Sequence, residues 1–372
     1  MSPTASPPDA TPDRPVLQLD ATGVLSSLQD RGRFGLRRLG IPWAGTLAEP
    51  WRGIANALVG NAADSPVIET FEAGLCVRAQ AGAVRVAGVG DLTLWLETDS
   101  RPPTRIAAWR SLTLQPGQRL RIASTGRYRI GLLALAGIDI PLHHGSRSSY
   151  ARAGLGGLDG GTLSAGQCLP ASRPPPGAER SVAPADLPAC HALAGEVDAG
   201  ATLALRAVPG PQDEAFDAHE LARFFGDARW TISSGTDRMG CRLDGDALVH
   251  RQGRGADIVS DAILPGSVQV PGTGQPIVLL NDAHTAGGYT KIATVISTDL
   301  MPLALARPGA RLRFLCVKAD DGVHALRAVQ GTVAGIQERL MPLASQPGTE
   351  TLLSANLIGG VVDALSPSPS SC

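Results

Sequence analysis

Lysine, histidine, aspartate, tyrosine and two glutamines gather in one stretch of this chain. It reads Pro265-Gly-Ser-Val-Gln-Val-Pro-Gly-Thr-Gly-Gln-Pro-Ile-Val-Leu-Leu280 and continues Asn-Asp-Ala-His-Thr-Ala-Gly-Gly-Tyr-Thr-Lys-Ile-Ala-Thr-Val295. Lys291 follows Gly-Gly-Tyr and enters a branched apolar run. A lysine on such a rigid element can meet a carboxylate, carbamate or phosphate; the plainer reading is a solvated lysine at a strand start. Asp282 beside His284 can set an imidazole tautomer and support general-base work, or both can simply be solvated. The amides of Gln269 and Gln275 can read a urea-like or lactam group, or cap the turn between them. Tyr289 can donate to a developing oxyanion, or pack. Gly287 and Gly288 allow positive φ or a close approach to a ligand, so the segment reads as a hinge offering backbone N–H groups to an anion.

Two apolar runs must position these groups. Ile277 to Leu280 and Ile292 to Ile296 are rich in branched residues and read as buried strands. Elsewhere Arg147, in Gly-Ser-Arg-Ser-Ser-Tyr, offers a planar fork for a carboxylate or phosphate, flanked by Ser146 and Ser148. Arg238, in Asp237-Arg-Met-Gly, offers the same. For both, the alternative is an interdomain salt bridge. Asp30 and Arg31, near Gly32 and Gly35, read as ordering a turn.

Gly (44) and Pro (29) punctuate the chain at short intervals, with alternating apolar runs between them. Leu92 to Glu97, Leu112 to Leu114, Leu120 to Ile122 and Tyr128 to Leu135 read as strands separated by turns, the pattern of a barrel or sandwich. The fold class is therefore mainly β with few helices. One helix is signalled by Leu47, Trp51, Ile54, Ala55 and Leu58 on one face, with Pro50 in its first turn and Gly60 at its end. Asp217 followed by Glu220 signals a second, turning Leu221, Phe224 and Phe225 inward. Ser172 to Gly195, rich in Pro and Ala, reads as the connection between two domains. The boundaries expected are a tail over 1–15, a first domain with its linker over 16–200, a second domain over 201–365 and a tail over 366–372.

A net charge of -1 over 372 residues provides no global field for nucleic acid or acidic membranes, and 4% aromatics argue against base-stacking platforms. With 43% hydrophobic and 18% charged residues the chain suits a folded core. The six cysteines form no C-x-x-C pair, so no metal site is signalled, and Cys76 and Cys316 read as small core residues. No secretory signal and no apolar run long enough for a bilayer is present, so the cytoplasm is the expected compartment. There is no G-x-x-x-x-G-K-[ST] loop, no G-x-G-x-x-G opening a helix, no G-x-S-x-G elbow and no Ala-Met-Lys-Met biotin-attachment sequence.

The stretch from Pro265 to Ala293 resembles a pattern of the biotin-dependent carboxyltransferase-like family, which includes the C-type component of bacterial ATP-dependent 5-oxoprolinase. The family also holds allophanate hydrolase subunit 2-like proteins, the carboxyltransferase part of urea carboxylase and an antagonist of a kinase inhibitor. Further matches are Leu28-Gln-Asp-Arg-Gly-Arg-Phe-Gly35, Ala55 to Asn61, Gly145 to Tyr150, Gly154-Leu-Gly-Gly157, Pro209-Gly-Pro-Gln212, Asp237 to Gly240 and Ser354 to Asp363.

The resemblance implies two cyclophilin-like β-barrel domains. It implies a subunit that acts with B-type and A-type partners to open 5-oxo-L-proline, with ATP and water, to L-glutamate, ADP and phosphate. ATP would be bound by the complex, with Lys291, Arg147 and Arg238 as the candidate cations for its phosphate. One alternative is carboxyl transfer to urea or another amide, with biotin on another protein and Gln269 and Tyr289 orienting the acceptor. The other is a non-catalytic antagonist that binds a B-type partner. The chain departs from the family pattern at Ala48 (commonly Asp), Gly161 (Arg), Gln167 (Asp), Cys241 (Tyr), His284 (Gln) and Thr290 (Pro). An Asp at position 48 would be a candidate base or helix N-cap.

Overall fold

A computed structural model describes residues 14–343, except Glu196, Asp198, Ala199 and Asp227. The two expected tails, apart from Arg14 and Pro15, and the Ser354–Asp363 motif lie outside the described residues.

Strands dominate, as the turn-punctuated pattern requires. In the first half, one antiparallel sheet runs in the order Cys168–Pro170, Val16–Thr22, Leu75–Ala81, Arg119–Ser124, Thr93–Thr98, Arg101–Ile106. A second runs Leu25–Gln29, Val67–Phe71, Ile130–Leu135, Val84–Val89, Arg110–Leu114, Arg180–Ser181, Met341–Pro342. Leu17, Val77, Leu94 and Leu120 from the first sheet meet Leu28, Ile68, Val86 and Leu133 from the second in a shared core. Strand Ile130–Leu135 is apolar throughout because both its faces are buried. Leu133 and Leu135 face the core between the sheets, while Ile130, Leu132 and Ala134 face a helix on the outer side.

That helix is Glu49–Val59, with Pro50 in its first turn and Gly60 in the left-handed conformation at its end. Trp51 packs edge-on against Trp109 and Tyr128, at centroid distances of 5.4 Å and 5.1 Å, and its indole N–H donates to the Cys190 carbonyl. Cys190 lies in a short helix, Leu187–Ala192, so the Pro/Ala-rich connection is packed into the core.

The second half closes into a barrel of seven strands: Thr202–Pro209, Arg311–Cys316, Trp230–Ile232, Gly240–Asp244, Ile277–Leu279, Ser267–Val270 and Ala286–Val295, the last pairing back to the first. Strand Asp257–Ala262 adds to Ala286–Val295 at the edge. Helix Ala218–Phe225 begins as its sequence signals: the Asp217 carboxylate accepts from the Glu220 N–H at 2.8 Å. Phe224 stacks on Phe314 at 4.4 Å.

Two helices carried no clear signal. Ser297–Leu305 contains Pro302, and Ala319–Glu338 contains Gly322, Gly331 and Gly335. In the latter, Ile336 and Val333 pack into the core cluster shared with helix Glu49–Val59. At Gly53 an added Cβ would stand 3.2 Å from Gln337 Nε2 and 3.5 Å from Val333, so the two helices meet closely there. The chain then pairs Met341–Pro342 with Arg180–Ser181 in the first-half sheet. Of the cysteines, Cys76 is buried as expected, but Cys316 is exposed, because it ends its strand beyond the packed layer of Leu312 and Phe314. Cys190 and Cys241 are buried instead, and burial pushes both thiols up to about 12.

Phe314→Ala should cost about 3–5 kcal/mol through the cavity it leaves. Asp217→Ala should cost about 0.5–2 kcal/mol through loss of the cap. Denaturant melts of the purified chain will read both, with Phe314→Ala the larger.

Candidate functional site

Strand Ala286–Val295 carries the central residue. Thr290 and Ile292 turn inward and are fully buried. Alternation then sends Lys291 to the opposite face. It is only 2% exposed there, because the Pro209–Gln212 segment and strand Asp257–Ala262 cover it. Lys291 Nζ donates to Asp261 Oδ2 at 3.0 Å, and Gln212 Nε2 donates to the same oxygen at 3.3 Å. Gln212 Oε1 accepts from the Lys291 backbone N–H at 3.2 Å. The Asp261 side chain is itself 49% exposed, so a buried ammonium is balanced by a carboxylate at the rim. That ammonium, through its side-chain hydrogen bond, holds the Asp261 carboxyl below the usual range.

Gln269 stands opposite Lys291 in the neighbouring strand. It is buried, and its Nε2 has no hydrogen-bond partner among the described residues. Gly287 explains part of the fit: a Cβ there would stand 2.5 Å from Gln269 Nε2. Lys291, Gln269, Gly287, Asp261 and Gln212 thus form one polar cluster with two buried donors, an ammonium and an amide. Tyr289, two residues before Lys291 on the same strand, is 40% exposed and lies at the rim.

The hinge expectation needs correction. Gly287 and Gly288 lie within the strand, and neither has a positive φ. The turn is the polar run before them, and Gly287 is small to admit Gln269. At Gly288 a Cβ would meet Ile258 O at 3.4 Å, an ordinary contact. Gln275 is held by backbone: Nε2 donates to Gly245 O at 2.8 Å and Oε1 accepts from Gly245 N at 3.1 Å, so its amide caps a turn.

Asp282 and His284 are not brought together by a hydrogen bond among the described residues. Asp282 takes both arms of the Arg238 guanidinium, at 3.0 Å each. Arg238 also donates to Glu69 of the first half and to Gly45 O. Glu69 accepts in turn from Thr46 Oγ1 and Leu47 N, both at 2.7 Å. Full burial pushes the Glu69 carboxyl up, against the opposing pull of Arg238. The Arg238 guanidinium is held above its ordinary value: burial opposes it, but Asp282 and Glu69 together prevail. Arg238 therefore faces two carboxylates and has no free edge for a phosphate. It is an ion pair between the two halves of the chain, the salt-bridge reading that its sequence setting left open. His284 is exposed, and its carbonyl accepts from Arg37 Nη2 at 3.0 Å.

Arg147 forms no ion pair among the described residues. Its Nε donates to Ile140 O at 2.9 Å, and its backbone N–H donates to Asp30 at 2.6 Å. Asp30 is buried and also accepts from Ser146 Oγ, Ser148 Oγ and Gly32 N. Burial raises its carboxyl, but these four hydrogen bonds outweigh it and leave the pKa lowered. Asp30 thus joins the Leu28–Gly35 and Gly145–Tyr150 motifs.

A family profile described as "Carboxyltransferase domain, subdomain A and B" matches residues 39–316. The chain belongs to this carboxyltransferase-domain family. It is 34% identical over 318 residues to the C-type component of 5-oxoprolinase from Escherichia coli, covering 83% of this chain and 94% of that one. The C-type component from Haemophilus influenzae is 34% identical over 306 residues, with 81% and 91% covered. Among solved structures, the Kluyveromyces lactis urea carboxylase superimposes with a TM-score of 0.75 at 21% identity. That match covers 90% of this chain and 31% of the other, and it shows a shared fold.

Several departures from the carboxyltransferase-domain pattern now have a physical setting. Ala48 is the N-cap of helix Glu49–Val59 and makes no side-chain cap; Thr46 Oγ1 accepts its N–H at 3.1 Å instead. Thr290 N donates to Ala256 O at 2.9 Å, a bond that a proline could not make, and its hydroxyl lies 2.9 Å from His250 Nε2. Gln167 bonds Asp159 at 2.7 Å. Gln212 was legible as part of a motif but without a role. Asp261 had no signal, since it sits in a polar edge strand and meets Lys291 only through sheet pairing. Among the described residues no group of His, Cys, Asp and Glu could hold a metal ion, and no helix is long and apolar enough to cross a membrane.

Three outcomes are expected. Gly288→Ala should be tolerated, while Thr290→Val should destabilise by about 1–3 kcal/mol through the lost hydrogen bonds; thermal melts should rank them in that order. Arg238→Met should cost about 3–5 kcal/mol, because Glu69 is left buried without its partner. Asp30 has a depressed folded pKa, so its ionisation stabilises the fold above the ordinary value of 3.8, and this is lost as pH falls below it. The stability gap between wild type and Asp30→Asn should therefore be widest near neutrality and close on acidification below pH 3.8.

Proposed function

We propose that this chain is the C-type component of an ATP-dependent 5-oxoprolinase, active in a complex with B-type and A-type partner subunits. The observation that carries this reading is the 34% identity extending over 94% of the Escherichia coli protein. Both whole-length relatives bear the same name, whereas the sequence match to a putative urea carboxylase is weaker, at 26% identity, and covers only 25% of that protein.

A lactam carbonyl is a poor electrophile because the ring nitrogen feeds its lone pair into it. Phosphorylation removes that obstacle. The carbonyl oxygen attacks the γ-phosphorus, the bond to the bridging oxygen breaks, and ADP leaves. The ring nitrogen sheds its proton as an imidate forms. One water adds to the activated carbon, and the C–N bond opens with proton transfer to nitrogen, giving an acyl phosphate. A second water releases phosphate and leaves L-glutamate.

Lys291 Nζ and Gln269 Nε2 suit this chemistry as donors to the lactam oxygen or to the phosphoryl group on it, since both are held on paired strands away from bulk water. Asp261 and Gln212 hold the lysine in place. Tyr289, at the rim, is placed to contact the substrate on entry. Asp282 serves as a clamp to Arg238, so the general base for water comes from another group.

Co-expression with the partner subunits should give one complex whose ATP hydrolysis depends on 5-oxoproline, with this chain inactive alone. Lys291→Met preserves volume and leaves Asp261 at the solvated rim, so melting should stay near wild type while turnover falls by about 10²–10³. A wild-type complex that makes no glutamate from 5-oxoproline and ATP would overturn the substrate; full turnover by Lys291→Met would overturn the role of the lysine.

A further inference from the structure

Arg238 has no free edge and Arg147 gives its Nε to Ile140 O, so other cations near the site bear on the phosphate charge. The Asp30–Trp43 loop contains Arg31, Arg33, Arg37 and Arg38. Arg31 and Arg38 are exposed and make no hydrogen bond or ion pair among the described residues. Arg33 is fully buried; Nε donates to His143 O and Nη2 to Ser148 O, while Nη1 is buried without a partner among the described residues. Arg37 likewise has a buried Nη1 without a partner among the described residues. The carboxylates of Asp30 and Asp282 act on Arg33 through space, and among the described residues no acidic side chain bonds any of the four.

The loop is rigid. Arg33 N donates to Trp43 O at 2.7 Å, and Gly32 N to Asp30 Oδ1 at 2.8 Å. Gly32 has a φ of 107° and Gly45 a φ of 85°; a Cβ on either would meet backbone of the facing segment at about van der Waals limits or closer. Phe34 projects between the arginines, 52% exposed, with the Arg31 guanidinium 5.7 Å from its ring centre.

The loop also adjoins the lysine site. Arg37 Nη2 donates to the carbonyls of Ile263 and His284. Ile263 side-chain atoms lie within 3.5 Å of the Cβ position at Gly287, which in turn abuts Gln269 Nε2. A contact chain of Arg37, Ile263, Gly287 and Gln269 therefore links the basic loop to Lys291.

We propose that the loop from Arg31 to Arg38 binds the phosphate groups of a nucleoside triphosphate at the edge of the Lys291 site. This rests on the ATP-dependent reading and names the residues that serve it. Arg31 and Arg38, which make no hydrogen bond or ion pair among the described residues, offer planar, charge-assisted donors matched to phosphate oxygens, while Arg33 and Arg37 are held by backbone carbonyls. Phe34, 52% exposed and packed against Trp43 at 5.3 Å, offers the rest of its ring to the base.

The test is the double variant Arg31→Ala/Arg38→Ala in the assembled complex, with Arg31→Lys/Arg38→Lys beside it. Since neither side chain forms a hydrogen bond or ion pair with the rest of the described chain, the variant should fold and assemble normally. KM for ATP should rise at least about tenfold while KM for 5-oxoproline stays unchanged, and the lysine pair should restore part of the loss. Equilibrium binding of ATP, tripolyphosphate and inorganic phosphate gives a readout independent of turnover. ATP binding should weaken in the alanine variant and with added salt. Unchanged ATP binding in the variant overturns the proposal. So does loss of assembly with ATP binding intact, which would make the loop a docking surface. Equal binding of inorganic phosphate and ATP would overturn the nucleotide as the source of the phosphate. A wild-type complex that binds ATP through these arginines but does not open 5-oxoproline would sink the substrate reading and leave this one standing.

Discussion

One buried ion cluster ties the two halves of the molecule together. Arg238 comes from the barrel half and Glu69 from the sheet half; Asp282 completes the charge balance. Burying three charges is costly unless each is bonded, and here every member is: Arg238 reaches both carboxylates and Gly45 O, and Glu69 also accepts from Thr46 and Leu47. The cluster fixes the turn at Asp282 against the strand at Val67–Phe71 and the segment at Gly45–Leu47. The geometry on either side follows from that register.

The candidate site depends on this anchoring. The turn around Asp282 leads directly into strand Ala286–Val295, which carries Lys291. The loop from Asp30 to Trp43 is placed beside the same turn by Arg37, which bonds His284 O and Ile263 O, and by the Ala44 N–H, which donates to Asn281 O at 3.0 Å. Two kinds of positive charge therefore converge from different halves. One is a buried ammonium with its own counter-ion. The other is a set of guanidinium groups that no carboxylate bonds among the described residues. The first suits discrimination of a small substrate, since desolvation strengthens each hydrogen bond. The second suits a larger, more solvated anion.

The core explains why the halves do not behave as separate beads. Trp51, Trp109 and Tyr128 on the sheet side belong to the same apolar cluster as Phe224, Trp230 and Phe314 in the barrel. The connection around Cys190 is packed beneath Trp51, and helix Ala319–Glu338 returns from the barrel to pack against helix Glu49–Val59. Ile336 of that last helix is almost wholly buried in this shared cluster. Its three glycines lower its intrinsic helix propensity, so its stability comes from this contact more than from its sequence.

Local chemistry was written in the sequence. Period-two alternation at Leu92–Glu97, the cap at Asp217, the stripe on Glu49–Val59 and Gly60 at its end all fold as their residues demand, because each depends on neighbours a few positions away. The family motifs also marked Lys291 and Gln269 as candidates, and Asp30 read as ordering a turn. What sequence could not reveal is which polar groups meet. Arg238 and Arg147 looked equally able to bind an anion, yet one closes on Glu69 across 169 positions and the other bonds the carbonyl of Ile140. Asp261 became the partner of Lys291, and Gly287 made room for Gln269, only through strand pairing. Periodicity says which face a side chain takes; only the closed barrel and the packed halves decide what stands opposite it, because pairing between distant segments is set by the whole core at once.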